Sequence, residues 1–405
     1  MLFRSLTNPQ PLLRKGAMVG LLSYDKTDHS TGQKLQSLIE ANDPQERILA
    51  ANVIKEIGDS HFSDHLVELL ADKEAPVVER AILASTGVDD ARLTAILVKK
   101  TANPALRGVA SHTLTQLGTA ALYELDARLR STETSRQEKL CLLDTVTGIG
   151  GDQAIAILLQ HIDIAVPELR HHVYLGLATL NYQSHADDKY RFVTSLREEV
   201  ESIVWLLAAI EDLAGEPEYK TLHDALSNEL SIRRDMTLLL MSFLFPSIVI
   251  LDTRANLDST VSERRVFALE LLDNLLTSEI KEIVLPILDD LTTTERLEQM
   301  YSHFPQAKMQ ARERFNDIVK NHYEHAFYWT RSCMLYQIGL VAADTYQEQV
   351  EIGLRDSEVV IRETALWCLA QLRSSGWQQR ASTLLDDASP TIRILAQRLC
   401  DEAAN

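Results

Sequence analysis

Glycine and proline are scarce, 15 and 11 of 405 residues, and aromatic residues make up only 6% of the chain. Strands need turn residues and β-branched or aromatic pairs, so this shortage argues against a sheet protein and for helices. Cysteine is rarer still. Cys141, Cys333, Cys368 and Cys400 lie far apart, show no CxxC spacing and sit in apolar helical contexts. They read as small core residues in a reducing, cytoplasmic compartment. Residues 1–13 lack the apolar stretch of a signal peptide. The uncharged run Met236–Leu251, MTLLLMSFLFPSIVIL, is interrupted by Pro246. A membrane-crossing helix needs roughly 20 apolar residues, more than this run supplies. It therefore reads as two buried helix segments meeting at Phe245-Pro246, with no direct membrane insertion.

Positive charge is also in short supply. The formal charge is −18, and between Arg197 and Glu298 there are 21 acidic residues against 9 basic ones. Such a surface repels nucleic-acid phosphates and anionic lipid, so neither is an expected partner. The acidic stretch reads either as a solvated outer face or as a docking face for a basic partner. Catalytic signatures are missing as well: no GxSxG, P-loop, GxGxxG or HExxH occurs. Gly150-Gly151 reads as a helix end.

What is present is a repeat. In Asp43–Gly58, DPQERILAANVIKEIG, the apolar Ala50, Ile54 and Ile57 stand at offsets 3, 7 and 10 from Arg47. Those offsets put the side chains on one helical face. Asp43 suits an N-cap, Pro44 the first helical position, and Gly58 a left-handed C-cap. The same template follows Arg14, Arg107, Arg170, Arg234, Arg265, Arg331, Arg362 and Arg393. Lys139 takes the anchor position in one copy and Glu79 in another, around Ala75–Gly87. From Arg14 through Arg47, Glu79, Arg107 and Lys139 to Arg170 the anchors recur at nearly even intervals, and weaker slots lie near Glu201 and Leu297. A shorter apolar helix, such as His61–Leu70, lies between anchors, so each unit is helix–turn–helix.

One helical pair cannot bury its own apolar face, so the units stack and share a core. The expected fold is all-α: a right-handed α-solenoid of HEAT-like units with a period of about 31 residues, roughly 12–13 units in all. The tetratricopeptide and ankyrin signatures are absent. The expected organisation is HEAT-like repeats over 1–290 with a truncated first unit, an irregular helical insert over 291–330, and further repeats over 331–405. The start carries Leu2, Phe3 and Leu6 where a polar capping unit is expected, which suggests a neighbour or a larger assembly; the end is the polar run DEAAN.

The turn residue, the apolar-Arg pair and the Ala at the third position after it resemble bacterial HEAT repeats. More narrowly, Leu69–Gly87 and Ser262–Leu276 resemble the HEAT array attached to ATP/ADP-carrier-like transporters. There the array is a cytoplasmic appendage to a membrane domain, which makes a membrane transporter domain one implied partner. The resemblance rests on structural motifs and carries no active site across. In such arrays the second helices line the concave face, which would present Gln45, Glu46, Asn52, Lys55 and Glu56.

The anchor Arg reads as a bridge to the N-cap Asp of a neighbouring turn, repeated as a ladder through Asp43, Asp72, Asp356 and Asp387, and as a clamp on turn carbonyls. His61 and His65 have zinc-ligand spacing but no evident third ligand. Asp289-Asp290 and Glu198-Glu199 are adjacent carboxylates that face apart. The densest aromatic and imidazole cluster is His322, Tyr323, His325, Tyr328 and Trp329, which reads as a binding surface or as core between units. The expected function is a protein-binding scaffold or regulatory appendage, not an enzyme and without cofactor or metal. Glu46, Asn52, Lys55, His322, Tyr323, His325 and Trp329 are the candidate contact residues. The alternatives are a ligand-sensing module of a nucleotide-carrier-like system, which needs a basic pocket, and an enzyme on a HEAT scaffold, which needs a groove with clustered Trp, Tyr, Asp and Arg.

Overall fold

The computed structural model describes residues 5–26, 28–257, 259, 261–341, 344–373 and 376–404. Leu2 and Phe3 lie outside them, as does Asn405 of the final polar run; Leu6 is buried. No strand occurs among the described residues, and the chain is an α-solenoid of helical repeats in two compact units, 1–161 and 162–405.

The first unit holds α1 (Pro11–Tyr24), α2 (His29–Ile39), α3 (Pro44–Ile57), α4 (Ser63–Leu70), α5 (Ala75–Ala84), α6 (Ala91–Lys100), α7 (Arg107–Leu117), α8 (Leu122–Arg130), α9 (Arg136–Ile149) and α10 (Gly151–Gln160). Odd-numbered helices pack successively in one layer, even-numbered ones in the other. Local chemistry sets the boundaries. Asp43 accepts from the Gln45 amide, Pro44 opens α3, and Gly58 closes it at φ 62°, ψ 44°, the left-handed cap. Asp28, Asp90 and Ser135 cap α2, α6 and α9 in the same way.

The repeat register holds in α3 and shifts in α5. The fourth residue of α5 is Val78, which is buried with Ala81, Ser85 and Val88, whereas Glu79 is exposed. The expected anchor at Glu79 is therefore one residue out of place. An apolar residue fills the Arg position because that site faces the core here.

The second unit holds α11 (Pro167–Thr179), α12 (Lys189–Leu213), α13 (Lys220–Leu244), α14 (Ser247–Leu257), α15 (Ser262–Leu275), α16 (Ser278–Leu288), α17 (Thr293–Met300), α18 (Ala311–Asn321), α19 (Tyr328–Val341), α20 (Gln347–Leu354), α21 (Val359–Leu372), α22 (Trp377–Ser382) and α23 (Pro390–Ala404). One layer runs α11, α13, α19, α21, α23, each packed on the next. The step from α13 to α19 passes over the intervening sequence, whose helices α14–α17 branch to one side. The branch is possible because α12 and α13, 25 residues each, form a doubled hairpin. One end carries Phe192 and Phe243, which pack with Tyr174 and Tyr182. The other end sends Leu206, Leu213 and Leu226 into the core of Phe315, Met334 and Ile361.

The uncharged run breaks where the sequence places the break. α13 ends at Leu244, Phe245 caps it, and α14 starts after Pro246. The first segment is buried; the second is only partly so, with Ile250 buried, Val249 and Leu251 half-buried and Ile248 exposed. Among the described residues no helix is long and apolar enough to cross a membrane.

Cys333 and Cys368 are buried, Cys141 and Cys400 half-buried. Burial pushes the Cys333 thiol up to about 11 and the Cys368 thiol up to about 12. Only a thiolate is nucleophilic. Neither residue should therefore react with Ellman's reagent at pH 8 until denaturant is added. Rapid modification of either one in the native protein would contradict this packing.

Candidate functional site

The anchor arginines account for much of the conspicuous charge. Arg47 donates to the carbonyls of Ala41 and Asn42 in its own turn and to both carboxylate oxygens of Asp72, 2.6 and 3.0 Å away. Arg362 repeats this on Asp356 O, Ser357 O and the Asp387 carboxylate at 2.8 and 2.9 Å. Arg331 reaches Asp356 and Arg265 reaches Asp290, so the same forward step recurs in all four. The ladder thus links each Arg to the Asp of the next turn. Arg107 and Arg393 hold only their own turn carbonyls in the contacts seen. At Lys139 the device is rearranged: burial lowers the ammonium pKa, and the buried carboxylate beside it, Glu138, is held by Arg128 at 2.8 and 3.0 Å. Arg314, the fourth residue of α18 in the segment 291–330, also holds a carbonyl of the preceding turn but takes its carboxylates from elsewhere. It donates to Ala307 O, Asp212 and Asp317 and is buried.

These bonds engage some of the candidate residues. Glu46 accepts two hydrogen bonds from Arg14, at 2.8 and 2.7 Å, and is part of the ladder. Glu56 pairs with Lys15. Asn52 is half-buried, and Lys55 is exposed on α3. His61 is exposed and His65 half-buried, and among the described residues no group of three or more His, Cys, Asp or Glu is placed to hold a metal.

The cluster at 322–329 divides three ways. Tyr323 is 3% exposed and joins the core, so it cannot serve as the contact residue expected from its aromatic neighbours. Burial also pushes its phenol above the ordinary value. His322 and His325 line one cavity, and Trp329, 48% exposed, lines a separate groove.

The cavity is about 330 Å³ and opens along α12. Glu198, Glu201, Ser202 and Trp205 line it at offsets 3, 4 and 7, one face of the helix. The Trp205 indole stacks on His322, centroids 3.7 Å apart and planes 23° apart. Its Nε1 donates to Asp317 at 3.4 Å. Burial pushes the His322 imidazole below its ordinary value, which keeps the ring neutral near pH 7. Burial would raise the Asp317 carboxyl, but bonds from Asn321 and Trp205 hold it below the usual range. The back wall is Arg233, which donates to Glu199, to Glu229 and to His325 O at 2.9, 3.0 and 3.1 Å. A second cavity of about 360 Å³ adjoins the first at Gln306 and is lined by Glu211, Leu297, Glu298, Tyr301 and Lys308, among others.

The groove at Trp329 is larger, about 640 Å³, and lies across α19, α21 and α23. Trp329, Tyr336, Val360, Trp367 and Leu395 supply its apolar surface. Tyr336 and Trp367 stack at 4.9 Å and 26°. Tyr336 stands two helical turns after Trp329, and Trp367 follows Tyr336 one repeat period later. Those aromatics could have been found in the sequence as repeat-equivalent positions outside the packing template. Trp205 had a weaker signal, its place on the carboxylate-bearing face of α12.

No protein-family model matches the chain, and no curated protein matches it. Among solved structures, an engineered protein aligns at 15% identity over 100% of this chain and 98% of its own, with a TM-score of 0.21. Importin beta, crystallised in ammonium sulfate, aligns at 12% identity over 98% of this chain and 60% of its own, with a TM-score of 0.25. At these scores neither likeness carries an argument about partners.

Proposed function

We propose that the chain is a HEAT-like repeat scaffold that binds a protein partner through the aromatic groove of α19, α21 and α23, without catalysing a reaction. The observation that carries this reading is the groove itself. Tyr336 and Trp367 stand at repeat-equivalent positions, Trp329 lies two helical turns before Tyr336, and the three line one open face with Val360 and Leu395. Scattered exposed apolar residues are ordinary, but a contiguous aromatic groove marks an interaction surface. A regulatory appendage of a carrier-like membrane system, in a reducing cytoplasm, would use the same surface. A nucleotide-sensing role has less support, because carboxylates outnumber cations around the cavities along α12.

Gly339 supplies the test. A Cβ there would stand 2.5 Å from the Trp367 ring, which lines the groove and stacks on Tyr336, so the ring has to shift. Gly339→Ala should reshape the groove at a repacking cost of about 1–3 kcal/mol, offset by about 1 kcal/mol of helix propensity. A photo-crosslinking residue in place of Tyr336, in cells, should capture a reproducible partner. Trp329→Ala with Trp367→Ala should weaken that binding by about 30-fold, and Gly339→Ala should weaken it too, if each tryptophan contributes about 1 kcal/mol. A partner captured equally by all variants would place binding elsewhere. No partner at all would sink the scaffold reading.

A further inference from the structure

We propose that the groove along α12 binds a basic peptide segment, with one arginine or lysine side chain entering the cavity walled by Trp205 and His322. This surface shares no lining residue with the aromatic groove, so it stands independently of the function proposed above. Three features select the occupant. An indole face is the best aromatic partner for a guanidinium or ammonium group, and Trp205 is fixed by its stack on His322 and its bond to Asp317. The carboxylates of Glu198 and Glu201 are exposed at the mouth, and neither has an ion-pair partner among the described residues. The cation already present is charge-matched: Arg233 pairs with Glu199 and Glu229, and each of its three nitrogens donates to a protein acceptor.

The extent of the groove points to a peptide over a free small cation. The second cavity continues from Gln306 with Glu211 and Glu298 beside the apolar Leu297 and Tyr301. At about 330 and 360 Å³ the two cavities lie near the lower end of the range for ligand sites, roughly 300–1,000 Å³. Two small recesses that meet at Gln306, one with Glu198 and Glu201, the other with Glu211 and Glu298 against the single Lys308, fit successive side chains of an extended segment. The charge balance agrees, because this face belongs to the stretch with 21 acidic and 9 basic residues. Electrostatic complementarity of this kind steers encounter and sets register.

The probe is a fluorescein-labelled eight-residue peptide of alternating arginine and leucine, with a twin in which citrulline replaces arginine. Fluorescence anisotropy on the full chain should show salt-sensitive binding of the arginine peptide and at least about tenfold weaker binding of the twin. Glu198→Gln with Glu201→Gln should weaken the arginine peptide by about tenfold or more, as should Trp205→Ala. The carboxamide pair keeps the shape, so it remains decisive if Trp205→Ala perturbs folding; circular dichroism reports that. Glu270→Gln with Glu279→Gln, exposed on the same acidic stretch but away from the groove, should change nothing. Equal loss in that control would reduce the effect to bulk charge and overturn the proposal. Equal binding of the twin, or no binding by the native chain, would overturn it too. Competition by free spermidine at the same concentration as the peptide would assign the cavity to a small cation instead.

Discussion

Arg233→Ala is expected to destabilise the second unit by about 3–5 kcal/mol, the cost of removing one partner from a buried ionic cluster. Arg233 is 5% exposed, and its guanidinium is the hub of α12, α13 and the turn before α19. Glu229 is held on its other oxygen by the Phe327 amide at 3.2 Å, and Glu199 is also approached by Arg170 at 3.3 Å. Alanine would leave both carboxylates buried with less than their full complement of donors, and the His325 carbonyl would lose its donor. These contacts join helices across the step from α13 to α19, so the loss should appear as early melting of that junction. Hydrogen exchange in α13 and α19 with a denaturation curve would measure it. Arg234→Ala, one residue on and only half-buried, should cost far less. Replacing Arg233, Glu199 and Glu229 together by Met, Leu and Leu should recover only part of the loss, because the buried charges go but the His325 carbonyl, the Phe327 amide and Arg170 lose their partners. A single alanine variant as stable as the parent would show that the cluster contributes nothing.

Arg233 also shows which parts of the design were legible. Asp43, Pro44 and Gly58 could be assigned from sequence because capping, helix initiation and left-handed exit are decided within a few residues. The Arg47–Asp72 bridge could be anticipated because a repeat turns a long-range contact into a local rule. The same rule misassigned Glu79 by one residue, since a short unit leaves the register open until the buried face is known. It also chose Arg234 over its neighbour. Which of two adjacent arginines turns inward depends on Glu199 and on the turn at His325, both remote in sequence. The 322–329 cluster reads in sequence as a single feature, either a binding surface or core between units, yet its residues face a core, a cavity and a groove. That division follows from α13 meeting α19 across the branch, and no periodicity encodes it.

Arg47→Ala should cost about 3 kcal/mol locally, whereas Arg265→Ala should cost under about 1 kcal/mol, although both occupy the same repeat position. The difference is burial. The Arg47 and Asp72 side chains are 8% and 9% exposed, those of Arg265 and Asp290 31% and 79%. Losing Arg47 leaves Asp72 with only the Glu74 amide and two turn carbonyls without this donor; losing Arg265 leaves the Ser259 carbonyl and a carboxylate that water already solvates. A solenoid unfolds piecewise, so the cost should be read from hydrogen exchange in α3 and α5 rather than from a global midpoint. Acid separates the two rungs further. Burial alone would raise the Asp72 and Asp387 carboxyls, but the Arg47 and Arg362 hydrogen bonds, with the Glu74 and Ser389 amides, hold both below the ordinary 3.8. A carboxyl depressed in the folded state stabilises the fold above its unfolded value and loses that contribution as pH falls through the folded one. Protection of α3 and α5 should therefore decline below about pH 4 in the native chain, and decline less steeply in Arg47→Ala, where the linkage has been removed. Parallel acid profiles for native and Arg47→Ala protein would mean that this rung does not couple the turns.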